Sequence, residues 1–137
     1  MTNLILASTS EIRSALLARA GIAHITIPSR VDEVSAMAAL VAEGATARNI
    51  ADHLADMKAR KISDRHRDAW VLGCDQTLLV GNAMIAKPTG SDDAIAQLHS
   101  LQGATHTLFA AIVLYENTRP VWRHIGVAHM TMRHSPR

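Results

Sequence analysis

One cysteine, Cys74, stands in a chain of 137 residues, so no disulfide can close within it, and the composition fits a reducing compartment. Aromatic side chains are nearly as scarce, at two Trp, one Tyr and one Phe, which leaves few platforms on which single-stranded nucleic acid could stack. There is no long Lys/Arg block, and 14 basic against 12 acidic residues give a net charge of only +2. That is too little for a phosphate-backbone footprint, so no nucleic-acid partner is expected. No apolar run is long enough to span a bilayer, and Met1-Thr2-Asn3 lacks the cationic stretch of a secretory leader; a cytoplasmic protein with no membrane partner is expected. What is abundant is aliphatic. With 48% apolar and 19% charged residues, one globular domain over 1–137 can bury a core without a bridge or metal.

Leu4-Ile5-Leu6-Ala7 is apolar without alternation and predicts a buried strand, broken by Ser8-Thr9-Ser10. A helix follows: Ser10 can cap it, Glu11 suits the positive end of its dipole, Ile12, Leu16 and Ala20 repeat at four-residue spacing, and Gly21 is placed to end it. Residues 24–28 read as a second strand, and Val31-Asp32-Glu33 as a loop. From Thr46, a candidate cap, Ile50, Leu54, Met57 and Ile62 keep helical spacing. Lys58 lies on that stripe, four residues from both Leu54 and Ile62, where an ammonium must snorkel or meet an anion. Residues 69–73 form a second apolar run that delivers Cys74-Asp75-Gln76 at its end. Residues 77–80 and 83–86 read as a hairpin through Gly81-Asn82, and a helix is predicted from Ser91 to Gly103. Two long strands, 105–115 and 121–132, close the pattern.

Alternation of strand and helix predicts an α/β fold, in which ligands collect at the carboxyl ends of strands. Ser8, Ser10 and Asp75 all fall there. A hydroxyl turn feeding a helix N-terminus offers backbone N–H groups to an anion, and Arg13 adds a fork-shaped cation; an ordinary helix cap accounts for the same residues. Lys58 and Lys87 can offset charge on adjacent phosphates, or simply be solvated. Asp75 can hold Mg²⁺ or orient a water, or form a turn; Glu33 can supply a second carboxylate or lie in solvent. Cys74 reads as a small apolar residue rather than a nucleophile, because no histidine pairs with it locally. His124, His129 and His134 recur every five residues, which alternates their faces on a strand and matches no zinc-ligand spacing.

Taken in order, the segment from Leu4 to Leu17, Val31-Asp32-Glu33, Lys58-Ala59, Gly73-Cys74-Asp75-Gln76, Lys87-Pro88 and Leu98-His99-Ser100-Leu101-Gln102-Gly103 resemble the Maf family. The resemblance runs over essentially the whole chain. It implies an elongated mixed β-sheet flanked by helices around a nucleotide cleft, and a nucleoside triphosphate pyrophosphatase historically linked to inhibition of septum formation. By the same resemblance Ser8, Ser10, Arg13, Lys58 and Lys87 contact phosphates. Asp75 is the catalytic carboxylate, and Glu33 and Asp75 face a divalent cation, Mg²⁺ or Mn²⁺. Gln76 after Asp75 looks like the branch that acts on 7-methyl-GTP, whereas Thr in that place resembles the dTTP and UTP branch.

Two positions depart from the family pattern: Glu11 stands where a helix-opening Pro is usual, and Ser14 where a second Arg is usual. Glu11 sets a negative charge beside the expected phosphate site, which predicts weakened affinity. The chain also stops at Arg137, where the family continues through further elements. From this a domain truncated at its C-terminus is expected, with an open sheet edge and self-association as a homodimer, a partner chain or marginal stability. The alternative reading is a catalytically impaired nucleotide-binding or septation-regulating protein that keeps the pocket.

Overall fold

Alanine sets the spacing of this fold. In helix α3 (Ala47–Ser63), Ala47, Ala51, Ala55, Ala59 and Ser63 recur every fourth residue, and all are buried. Small side chains on one stripe let a helix lie close against a sheet. Strand β3 (Trp70–Val80) completes the fit with Gly73, where an added Cβ would stand 2.2 Å from the Ala55 carbonyl oxygen and 2.8 Å from the Ala59 Cβ. The core is this helix–sheet contact: Ala51, Ala55, Ala59 and Ile62 against Ile5, Val71, Ala111, Val113 and Tyr115.

The computed structural model describes residues 3–81, 83–85 and 105–131. The chain order is β1 (Leu4–Leu6), α1 (Glu11–Arg19), β2 (Ile25–Thr26), α2 (Glu33–Ala42), α3, β3, β4 (Ala83–Ile85), β5 (Thr105–Glu116) and β6 (Arg119–Thr131). Among the described residues the sheet has six strands in the order β2-β1-β3-β5-β6, with β4 also on β3. β1 is parallel to β2 and β3, and the remaining pairs are antiparallel, so this is the mixed α/β sheet expected. The helix predicted between Ser91 and Gly103, the phosphate-contact candidate Lys87 and His134 lie outside the described residues.

Local signals act where they were read. Ser10 caps α1 by accepting the Arg13 N–H. Gly21, at φ 77°, ends it: its N–H reaches the Ala18 carbonyl while that of Ile22 reaches Leu17, the paired bonds of a left-handed helix stop. Thr46 caps α3 through the Asn49 N–H. Asn117 and Thr118, both at positive φ, make the two-residue turn between β5 and β6 that suits the twist of the strands. Ser63 Oγ accepts the Thr118 N–H at 3.0 Å, which pins this turn to the end of α3.

Three readings are corrected. Val31-Asp32-Glu33 is not a loop throughout: Asp32 caps α2 by accepting the Ser35 N–H, and Glu33 is the first residue of that helix. The 69–73 run does not end before Asp75. β3 is continuous through Val80, because β5 pairs with it along its whole length, and Asp75 is a mid-strand residue. The stripe of Ile12 and Leu16 on α1 is exposed, and α1 buries no residue.

Candidate active site

On the edge of β3 away from β5, β1 pairs as far as Leu72, where the Ala7 N–H meets the Leu72 carbonyl, and β4 begins at Leu78. Between them, residues 73–77 have no strand partner on that edge among the described residues. Side chains fill the opening: Arg13 Nη1 donates to the Cys74 carbonyl at 3.4 Å. A short gap of this kind, where a strand changes partners, leaves main-chain groups and alternating side chains accessible to a ligand.

Asp75, Gly73 and Thr77 share the face of β3 that meets α3, since strand side chains alternate. Thr77 Oγ1 donates to the Ala47 carbonyl at the start of α3 at 2.7 Å, fixing the register of helix on strand. About three turns further along α3, Lys58 takes a position in the buried stripe of Ile50, Leu54 and Ile62. Its Nζ lies 2.8 Å from Glu33 Oε1 and 3.5 Å from Asp75 Oδ1. Of the two outcomes expected for this ammonium, snorkelling or meeting an anion, the second holds, with one carboxylate from α2 and one from β3. Burial pushes the Asp75 carboxyl above the usual aspartate range, the Lys58 ammonium and the Gln76 N–H draw it part of the way back, and the Glu33 charge adds to the rise.

In front of Lys58 lies a cleft of about 440 Å³ lined by residues 7–10, Arg13, residues 28–31, Glu33 and Lys58. Its floor is the hydroxyl turn. Ser8 Oγ accepts the Ser10 N–H at 3.0 Å, and Ser10 Oγ accepts the Arg13 N–H at 3.3 Å; an oxygen used as acceptor keeps its own O–H to donate to a bound anion. Arg13, Arg30 and Lys58 bring positive charge to the lining, and Glu33, ion-paired with Lys58, brings one negative charge. Ser29, buried at the cleft, and Arg30, held at φ 52° with its carbonyl accepting from Lys61 Nζ, were not foreseen; no local pattern marks them, because the α3 contact positions them. Glu11 lines an adjoining hollow that shares Ser8, Thr9 and Ser10 with the cleft and also includes Ser14, whose Oγ pairs with His24 Nε2 at 2.7 Å.

The structure thus gathers Ser8, Ser10, Arg13, Glu33 and Lys58 on one cleft, with Asp75 behind the lysine. Gln76 is exposed and emerges on the opposite face of β3. Cys74 is buried and its thiol is pushed up by burial, which keeps it protonated and unsuited to nucleophilic attack. His124 and His129 are exposed on β6. Among the described residues no group of three or more His, Cys, Asp or Glu could hold a metal. The pair Glu33 and Asp75 nevertheless fits Mg²⁺ or Mn²⁺. Two hard carboxylate oxygens converge on one cationic point, the donor set such ions take when phosphates and waters complete the shell.

A sequence profile described as "Maf-like protein" matches residues 3–137. The chain belongs to the Maf-like family. A nucleoside triphosphate pyrophosphatase of Roseobacter denitrificans is 52% identical over 129 residues, covering 94% of this chain and 65% of the relative. A 7-methyl-GTP pyrophosphatase of Brucella abortus is 44% identical over 130 residues, covering 95% and 65%. The chain therefore spans just under two thirds of the length of these relatives. Among solved structures, a HAM1 protein from Coxiella burnetii matches with a TM-score of 0.61 at 18% identity, covering all of this chain and 76% of that one. This Maf-like chain thus shares its fold with a HAM1 protein. No helix among the described residues is long and apolar enough to cross a membrane.

Proposed function

We propose that the cleft of this Maf-like chain binds the triphosphate tail of a nucleotide and serves its hydrolysis to the nucleoside monophosphate and pyrophosphate. The observation that carries the reading is the placement of a desolvated carboxylate, Asp75, directly behind a cleft whose polar groups are hydroxyls, the cations Arg13, Arg30 and Lys58, and the carboxylate of Glu33. Polyanions are held by preorganised N–H, O–H and ammonium donors, and a carboxylate with a raised pKa is a better proton acceptor than an ordinary aspartate.

In this mechanism Ser8, Ser10 and Arg13 receive phosphate oxygens at the N-terminus of α1. Lys58 and Lys87 add cationic contacts. Asp75 accepts a proton from the water that attacks the α-phosphorus; the bond to the bridging oxygen breaks, and pyrophosphate leaves toward the cations. Glu33 and Asp75 would hold the divalent cation, which when bound supplies charge neutralisation on the phosphates. Gln76 stands at the stretch of β3 left open between β1 and β4, and its amide, both donor and acceptor, is assigned to the base. The likeness to 7-methyl-GTP pyrophosphatases supports 7-methyl-GTP as the substrate.

Pyrophosphate release across a nucleotide panel, with Mg²⁺ and with Mn²⁺, tests this. Release fastest with 7-methyl-GTP is the expected result. A strong preference for dTTP or UTP would overturn the base assignment, and nucleotide binding without any release would favour a pocket that has lost turnover.

A further inference from the structure

Asp75 cannot act from where it lies. Only 7% of it is exposed, it does not line the cleft, and the group between it and the cleft is the Lys58 ammonium. That ammonium also occupies the point on which Glu33 and Asp75 converge, the position a divalent cation needs if it is to touch both carboxylates. Two cations cannot share it, because like charges at such separations repel strongly even with partial screening. Lys58 is on a long flexible stem with a compact charge, and the cleft it lines is where new anions arrive.

Building on the pyrophosphatase reading, we propose that Lys58 is a built-in stand-in for the metal, bridging Glu33 and Asp75 until an incoming triphosphate draws its ammonium away and opens both carboxylates to a divalent cation. Metal and polyphosphate are then taken up together. A metal ion arriving alone must compete with a tethered ammonium whose local concentration is high. The triphosphate removes the competitor by offering the ammonium other oxygens, so each ligand raises the affinity for the other. The arrangement also keeps Asp75 neutralised and away from water in the empty cleft.

The test is Mn²⁺ binding to the full chain without nucleotide, followed by water-proton relaxation or calorimetry. Lys58→Met and Lys58→Gln should each bind Mn²⁺ at least tenfold more tightly than the parent chain, with thermal melting confirming that the variant is folded. Equal or weaker binding by a folded variant overturns the proposal. A second measurement needs no substitution: acetylation of Lys58 by acetic anhydride, read by mass spectrometry, should rise severalfold when Mn²⁺ is added to saturation. Unchanged labelling of Lys58, or no Mn²⁺ binding by any form, also overturns it. Pyrophosphate release by the parent chain is scored separately, so turnover with no competition would sink this inference and leave the pyrophosphatase reading standing.

Discussion

Lys58 and Asp75 meet across the α3–β3 contact, 3.5 Å apart and both buried, and the small residues beneath them make the meeting close. Ala55 and Ala59 on the helix and Gly73 on the strand bring the two backbones together. The long side chain of Lys58 can then lie along the sheet surface and place its charge beside a strand carboxylate rather than in solvent. The catalytic proposal depends on this packing.

Asp75→Asn should reduce pyrophosphate release by about 100-fold or more, the usual contribution of a positioned general base. Lys58 keeps Glu33 as a partner in this variant, so melting should confirm a folded chain. Activity within a few-fold of the parent would remove Asp75 from the mechanism.

The pH dependence follows from the same carboxylate. Asp75 must be ionised to accept a proton, and burial raises its pKa above the ordinary 3.8. In the chain free of metal and nucleotide the carboxyl should therefore titrate above the ordinary aspartate range, because burial disfavours its charged form; NMR of the side-chain carbonyl carbon against pH measures this. A midpoint at or below 3.8 would contradict the buried placement of Asp75.

Gly73→Ala should destabilise the fold by about 1–3 kcal/mol, the usual cost of overpacking a close contact. The new methyl would meet the Ala55 carbonyl at 2.2 Å, which is backbone and cannot swing aside. Urea denaturation measures the loss. Because α3 must move to make room, pyrophosphate release should fall in the same variant.

Tyr115 donates to Asp56 Oδ1 at 2.8 Å, and Arg123 bridges Asp52 and Asp56 at 2.8 and 3.1 Å, tying β5 and β6 to the face of α3 away from the cleft. Burial, followed by the Asp56 carboxylate, pushes the Tyr115 hydroxyl up to about 12. A pKa raised on folding gives stability that is complete below the unfolded value of 10.0 and is lost as pH rises toward 12. Tyr115→Phe should cost about 1 kcal/mol at neutral pH and flatten that alkaline loss, as thermal melts from pH 9 to 12 would show.

Much of the cleft was legible because its parts announce themselves locally. Ser10 is a cap and Arg13 lies in the first turn that it caps. Lys58 sits at an apolar position of a helical stripe, a misfit that left its ammonium to snorkel or to meet an anion. Glu33 was read as a loop acid because the alanine-rich segment behind it has little amphipathic contrast, so α2 left no strong period. Asp75 was placed at a strand end because the apolar run stops there. What carries the strand onward is pairing with β5, a partner more than thirty residues later in the chain.

The amino-acid order by itself determined the helix boundaries at Ser10, Gly21 and Thr46, a turn between the strands at 105–115 and 121–132, and that Lys58 must either snorkel or meet an anion. These depend on dihedral preference, capping and side-chain period over a few residues. Only the tertiary structure decided which anions answer Lys58, that Arg13 reaches the β3 main chain, and that Asp75 waits behind an ammonium instead of facing the cleft. Those relationships arise where α2, α3 and β3 close on one another, and the distances that set their electrostatics exist only after the small residues between helix and sheet have packed.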